Sequence, residues 1–442
     1  MITSIEIEGF KSLKDRCKVD FKGLTILAGA NSSGKSSVMQ PLLLFKQTLE
    51  ATYDPGILKL DGPNVLFESF DNFLLQPSHK SATRSFRFSL KIDGTALAEW
   101  DFSFNPRSGL KIKDYSFDKD FELNFKRLLL RRLASFFSSD IKKQNKYKES
   151  LLVEINKLGS FRIYNDTDIE ILDPNFDRFI LKSYNIKRDD INYEWAFDDN
   201  LILSNNIKNI IHVPGIRNRP ERQYKITGTD SVIGTFDNYS ASIVYNWQSI
   251  NENINGYKLS NLIKYLSDFS LTGVIIADKI SDTAVSLKVS PLPSKSVPQK
   301  QLVDISDVGY GVSQVLPVLV ALIEAKEGQM VYIEQPELHL HPNAQYLLAQ
   351  PFVDAVNRGV NVVMETHSSI LLLAIQTAVA NGELDPDKVS LNWFERNPDT
   401  GFSTHTIGQL GSDGGFGEWP VDFDDVELKA ARMFIEAQNR KA

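Results

Sequence analysis

The stretch LTILAGANSSGKSSVMQPLLL, residues 24–44, decides the fold. Residues 25–27 read as a strand, a loop of small residues follows, and the remainder reads as a helix. The loop spells G-x-x-x-x-G-K-S through Gly29, Gly34, Lys35 and Ser36, the pattern of a phosphate-binding P-loop. Glycines let a backbone curl so that several N–H groups point at one anion. The N-terminus of the next helix adds its positive end. In this reading Gly29, Ala30, Asn31, Ser32, Ser33, Gly34, Lys35, Ser36 and Ser37 surround the phosphates of a nucleotide. Lys35 reaches the β/γ-phosphates and the Ser36 hydroxyl sits on Mg2+. Four constrained positions meet by chance in only about two chains in a hundred of this length. With a strand before and a helix after, chance is the weaker explanation.

Outward from this stretch, 442 residues hold material for two or three domains. A hydrophobic fraction of 42% and a charged fraction of 24% are ordinary for a soluble globular chain. The single cysteine, Cys17, leaves no internal disulfide and no cysteine-based zinc site, which fits a reducing cytoplasm. The opening MITSIEIEGF has no apolar run after a basic segment, so no secretory signal is expected. The longest apolar runs, 315–323 and 370–380, are too short to cross a bilayer, and no membrane partner is expected. The net charge of −7 means that any DNA contact must come from a local basic patch.

Three short strands are expected before the P-loop, at 2–7, 17–21 and 25–28. Residues 82–118 read as an antiparallel sheet: Phe86, Phe88, Leu90 and Ile92 alternate, Asp93-Gly94 turns, and Trp100, Phe102 and Phe104 continue. Residues 120–160 read as helices. Between 111 and 150 there are eleven Lys/Arg and six Asp/Glu, 11 − 6 = +5, including Lys126, Arg127, Arg131 and Arg132. A solvated helix face and a phosphate-contacting surface both account for that charge. Residues 161–205 are β-rich, and helices are expected at 237–270. Between them Arg217, Arg219, Arg222 and Lys225 cluster after a strand ending at Val213, which suits an anion or interdomain contact, or an ion-pair network. Strands are expected at 273–278 and 284–289. From residue 302 strand and helix alternate as in an α/β lobe.

Two further stretches carry chemistry. In MVYIEQPELHLHP, residues 330–342, Glu334 ends an apolar strand and is followed by Gln335 and Glu337. α/β sheets bind ligands at the C-terminal ends of their strands. Acidic groups there are poor packing elements, so Glu334 is expected to hold the water shell of Mg2+. In METHS, His367 follows a second apolar strand, where it suits γ-phosphate contact or water positioning. His339 and His341 alternate as a metal pair would, but no third ligand set accompanies them. The segment DVGYGVSQ opens an apolar helix with Gly309, Gly311, Ser313 and Gln314, a second anion-binding end.

These motifs in this order resemble the ABC-type ATPases of the SMC/RecF/OLD group. The opening IEIEGFKSLKD…LTILAGANSSGKSS is similar to that group's N-terminal β-element and Walker A. VYIEQPELHLHP is similar to its Walker B and D-loop, METHS to its H-loop, and DVGYGVSQVLP stands where its signature helix begins. The pattern, and the ending DGGFGEWPVDF, resemble the stand-alone bacterial ATPases related to the OLD (overcoming lysogenization defect) nucleases. The resemblance covers about 1–50 and 300–425. It implies an α/β fold, an ABC-type ATPase head with two lobes and a mixed α/β insertion. The N-terminal lobe is expected at 1–118, the insertion at 119–270 and the C-terminal lobe at 271–442.

By the same resemblance, ATP and Mg2+ are the cofactors. Two heads form a homodimer or higher homo-oligomer, with Gly309, Gly311 and Ser313 of one closing on ATP held by the other. Glu334, Gln335, Glu337 and His367 are the candidate catalytic residues, and Ser36 and Glu334 the Mg2+ pair. Only 442 − 367 = 75 residues follow His367, too few for the OLD nuclease domain, so a nuclease or toxin effector is expected as a separate protein. The usual catalytic glutamate is replaced by Gln335, whose amide orients water but cannot take its proton, so hydrolysis is expected to be slow. The functional reading is an ATP-controlled partner of a nuclease in anti-phage defence. The alternative is a RecF-like repair ATPase with DNA as its direct partner, and the ATPase subunit of a transporter ranks behind both. A small GTPase is disfavoured because N-K-x-D is missing.

Overall fold

The computed structural model describes residues 1–74, 84–93, 96–105, 107, 109–117, 169–177, 180–188, 191–196, 200–229, 232–249, 254–291, 298–417, 432–434, 436 and 438. The basic helices expected at 120–160 lie outside them, as do the ending at 418–431 and the loop at 292–297. The chain divides into two compact units, Met1–Val19 with Ser37–Lys208, and Asp20–Ser36 with Asn209–Ala442.

The second unit is built on a six-stranded sheet. Its order is Ile211–Val213, Met330–Glu334, Asn361–Glu365, Leu24–Gly29, Val389–Arg396 and Ser403–Gly408. The first five strands run parallel, and the last is an antiparallel edge. Parallel strands covered on both faces need apolar residues throughout. Leu24–Gly29 and Asn361–Glu365 are accordingly buried at every position. The helix Tyr310–Glu324 is buried without a break from Val312 to Ile323, which explains its apolar sequence on all sides. Register brings the strand ends level. Glu334 lies opposite Glu365, Glu365 opposite Leu27, Trp393 opposite Ala28 and Phe394 opposite Gly29. A smaller antiparallel sheet in the same unit joins Tyr224–Lys225, Ala284–Val289, Ile275–Ser281 and Val303–Asp304, with the helix Ser240–Ser249 packed on it.

The first unit carries a five-stranded sheet in the order Cys17–Asp20, Ile2–Glu8, Arg84–Ile92, Ala96–Asn105, Gly109–Phe117. The expected alternation holds. Phe86, Phe88, Leu90, Ile92, Trp100 and Phe102 all point into the core, while Phe104 is half-buried. Phe45, from the helix Lys35–Leu49, meets Phe88 and Trp100 edge-on at ring centroid distances of 4.8 and 4.9 Å. Each such ring contributes roughly 1.5–3 kcal/mol by burial. The strands Ile169–Asp177, Ile180–Arg188 and Ile191–Ala196 form an antiparallel meander, and the helix Asn200–Lys208 follows. Among the described residues no helix is long and apolar enough to cross a membrane.

Candidate nucleotide-binding site

The loop after the strand Leu24–Gly29 turns through backbone conformations that glycine tolerates best. Gly29 has φ 138° and Gly34 φ 103°, and Ser32 stands between them at φ 59°. Space also demands glycine at 29, since a Cβ there would lie 2.1 Å from the Phe394 carbonyl oxygen. The Ser33 amide donates to the Ala30 carbonyl at 3.3 Å. Ala30, Asn31 and Ser32 face solvent, whereas Ser33, Lys35 and Ser37 are buried. Lys35 donates to the carbonyls of Gly29 at 3.0 Å and Ala30 at 2.7 Å. Burial holds its amine below the usual lysine range, with Glu365 and Glu337 opposing. The Ser36 hydroxyl, at the start of the helix, donates to Glu365 Oε1 at 2.9 Å.

Glu365 is a carboxylate that the motifs alone do not mark. Its Oε2 accepts from the Tyr332 hydroxyl at 3.1 Å. Burial, and then the charge of Glu334, hold it above the usual carboxylate range, against Ser36, Lys35 and Tyr332. Glu334 is bound differently, with Oε1 3.3 Å from His212 Nε2 and Oε2 accepting from the Gly215 amide at 3.0 Å. Burial pushes Glu334 up, but His212, Gly215 and Tyr332 together outweigh it and leave the group below its usual range. The His212 ring stacks on Tyr332 at 5.3 Å, so neighbouring strands support this corner.

Gln335 turns the chain at φ 44°, and its amide donates to the Glu365 carbonyl at 2.7 Å. Glu337 is 8% exposed. Its Oε1 accepts from the His367 amide at 2.8 Å, and its Oε2 is buried without a partner among the described residues. Burial holds Glu337 above the usual carboxylate range. Burial, followed by the Lys35 charge, holds the His367 imidazole below its usual range, against a bond to the Gly29 backbone.

These donors fit a nucleoside triphosphate with a divalent cation. Ala30, Asn31 and Ser32 keep the loop open to solvent, Ser33 Oγ is buried with no partner among the described residues, and a hydroxyl stands on a carboxylate at a helix start.

The segment at 309–314 lies elsewhere in the same unit. Gly309 caps the helix Tyr310–Glu324 from an exposed position, whereas Gly311 is half-buried, with Leu271 3.0 Å from where its Cβ would stand. The Ser313 hydroxyl donates to the Tyr310 carbonyl and Gln314 Nε2 to the Asn218 carbonyl, so these side-chain bonds end away from the P-loop of their own chain. The rings of Tyr310 and His339 lie 6.0 Å apart. His341 accepts from the Asn343 amide as an N-cap, with Pro342 opening the helix Pro342–Leu347. Among the described residues no group of three or more metal-binding side chains forms.

The structure thus brings together the P-loop, Glu334, Gln335, Glu337 and His367 of the sequence reading, and sets beside them His212, Tyr332 and Glu365, which that reading does not name. Glu365 carries the same signal as Glu334, an acid closing a buried strand. Arg217 reads in the sequence only as one of a cluster. It is 6% exposed, and its Nη2 donates to the carbonyls of Glu334 at 2.7 Å and Gln335 at 3.1 Å.

Comparison with curated proteins finds no match. Solved structures similar to this chain include three SMC heads. An SMC head bound to the C-terminal winged-helix domain of ScpA is 12% identical over 92% of this chain and 98% of that one, with a TM-score of 0.46. The SMC head domain from Thermotoga maritima is 10% identical over 92% and 98%, at 0.38. An SMC head with an extended coiled coil, bound to the C-terminal domain of ScpA from Pyrococcus furiosus, is 11% identical over 99% and 99%, at 0.43. The family described as AAA ATPase domain matches residues 1–372, which include the P-loop, the Glu334 turn and His367. The chain therefore belongs to the AAA ATPase domain family and is, in that general sense, an ATP-binding ATPase.

Proposed function

We propose that this protein is a Mg2+-dependent ATPase with slow turnover. In this reading it dimerises through nucleotide and controls a separate nuclease or toxin effector in anti-phage defence. The observation that carries the catalytic part is the Ser36 hydroxyl on Glu365, beside a buried Lys35, at the level ends of three parallel strands. Bound MgATP supplies the activated phosphoanhydride and a cation that neutralises charge on the phosphates.

Lys35 would offer its ammonium to the β/γ-phosphates, and Ser36 with Glu365 and Glu334 would hold the cation. Gln335 orients the attacking water through its amide. It cannot accept the proton, which is why turnover is slow. Glu337, anchored on the His367 amide, keeps His367 at the loop. For the trans contact, the exposed Gly309 offers backbone at a helix start to a second copy's nucleotide. The effector and the defence setting rest on the motif order shared with the OLD-related ATPases.

Lys35→Ala tests the site. Calorimetry with MgATP on folded mutant and parent should show at least a tenfold affinity loss, about 1.4 kcal/mol. Equal affinities would remove the P-loop assignment. Co-expression with the protein encoded beside it tests the effector clause. Toxicity or nucleic-acid cleavage that changes with Lys35→Ala supports control by nucleotide, and behaviour indifferent to that substitution overturns it.

A further inference from the structure

The loop at 214–223 has its polarity inverted. Ile216 is 94% exposed, whereas its neighbour Arg217 is 6% exposed. Hydrophobic burial alone would place these two side chains the other way round. A guanidinium inside the protein calls for a partner that only it can serve.

Among the described residues, both hydrogen bonds of Arg217 go to one place. Nη2 donates to the carbonyls of Glu334 and Gln335, and neither bond reaches the P-loop. Gln335 adopts φ 44°, a left-handed conformation that costs a non-glycine residue of order 1–3 kcal/mol unless its surroundings impose it. Three contacts impose it, one of them within the turn, where the Leu338 amide donates to the Gln335 carbonyl at 3.3 Å. The Gln335 amide is held by the Glu365 carbonyl, and its carbonyl is held by Arg217. The same loop grips the turn a second time, since the Gly215 amide donates to Glu334 Oε2. A Cβ on Gly215 would lie 3.3 Å from that oxygen and 3.5 Å from Gln335 Oε1, so the loop passes against the side chains the reaction needs. The remaining nitrogens, Nε and Nη1, are buried without an acceptor among the described residues. The carboxylates whose charge Arg217 feels are Glu337, Asp237 and Glu334, in that order. Glu337 Oε2 and Asp237 Oδ1 are themselves buried and unpartnered there.

We propose that Arg217 is a positioning residue for ATP hydrolysis, holding Gln335 in the left-handed conformation that aims its side chain at the reacting phosphate. The inference rests on the nucleotide site proposed above. It assigns Arg217 to the chemical step and not to nucleotide capture, because its bonds end on the turn. Misplacement of groups at a reacting centre by about 1 Å costs up to 10²-fold in rate.

Arg217→Met, of similar length but without donors, and Arg217→Lys, which keeps one charged donor group, separate the roles. Steady-state hydrolysis and MgATP calorimetry are measured on protein whose melting transition is intact. Arg217→Met should lower kcat by ~10–100-fold while KM and the calorimetric Kd stay within about twofold, and Arg217→Lys should recover part of the loss. An unchanged kcat in Arg217→Met overturns the proposal. So does a joint loss of kcat and affinity with Lys no better than Met, the result of packing alone. If Arg217→Met does not fold, Arg217→Lys decides: lower kcat at parental affinity supports the role, and parental kcat removes it. A parent that binds no ATP would instead defeat the nucleotide-site reading.

Discussion

In the proposed mechanism Gln335 stands where a carboxylate would take a proton, and its backbone is pinned at both peptide groups. Gln335→Glu therefore changes chemistry with little change of shape. General-base help is worth about 10²–10⁴-fold, so phosphate release by Gln335→Glu should rise measurably even if a fourth nearby acid weakens the gain. Unchanged release, with Glu337→Gln abolishing turnover, would make Glu337 the base and end the slow-turnover mechanism. At this scale the motifs make Lys35, Ser36, Glu334 and His367 legible, because each follows from spacing within one short stretch. His212, Tyr332 and Glu365 are not, because they become neighbours through strand register, and register is set by long-range packing. Arg217 is hidden for a different reason. Composition marks an arginine in a polar, proline-flanked loop as exposed, and only tertiary structure turns it inward.

The elements around the site are largely readable. Parallel strands buried on both faces leave apolar runs, and the flanking residues stop them. Strand ends differ from the expected ones by up to three residues in either direction: Leu24–Gly29 exceeds 25–28, Cys17–Asp20 falls short of 17–21, and Ile275–Ser281 is displaced from 273–278. Strand order is not readable, since nothing local says that Leu24–Gly29 lies between Asn361–Glu365 and Val389–Arg396. That order has a consequence at Gly29, where the Phe394 carbonyl leaves no room for a methyl group. Gly29→Ala should lower stability by ~1–3 kcal/mol through strain and crowding. A drop in melting temperature of several degrees, accompanied by weaker MgATP binding, is the expected result. A variant that melts and binds like the parent would contradict this account of the loop.

At the scale of the whole molecule, each unit has its own sheet and core. The proposed dimer can be tested where the fold itself is indifferent. Gly309 has an ordinary φ of −62°, and a Cβ added there would meet nothing within 4 Å, so Gly309→Asp should fold as the parent does. It would set a negative charge against the triphosphate of a second copy. Light scattering after size exclusion should then show a MgATP-dependent dimer for the parent and a monomer for Gly309→Asp, with nucleotide binding to the monomer retained. Nucleotide-dependent dimers of equal stability in both would remove the trans contact. The chain also carries its own optical reporter. Among its five tryptophans, Trp393 is 5% exposed and lies beside Ala28 on the strand that crowds Gly29. A buried indole paired with the residue just before the phosphate loop senses small changes in local polarity and quenching, so intrinsic emission can follow events at the loop without any label.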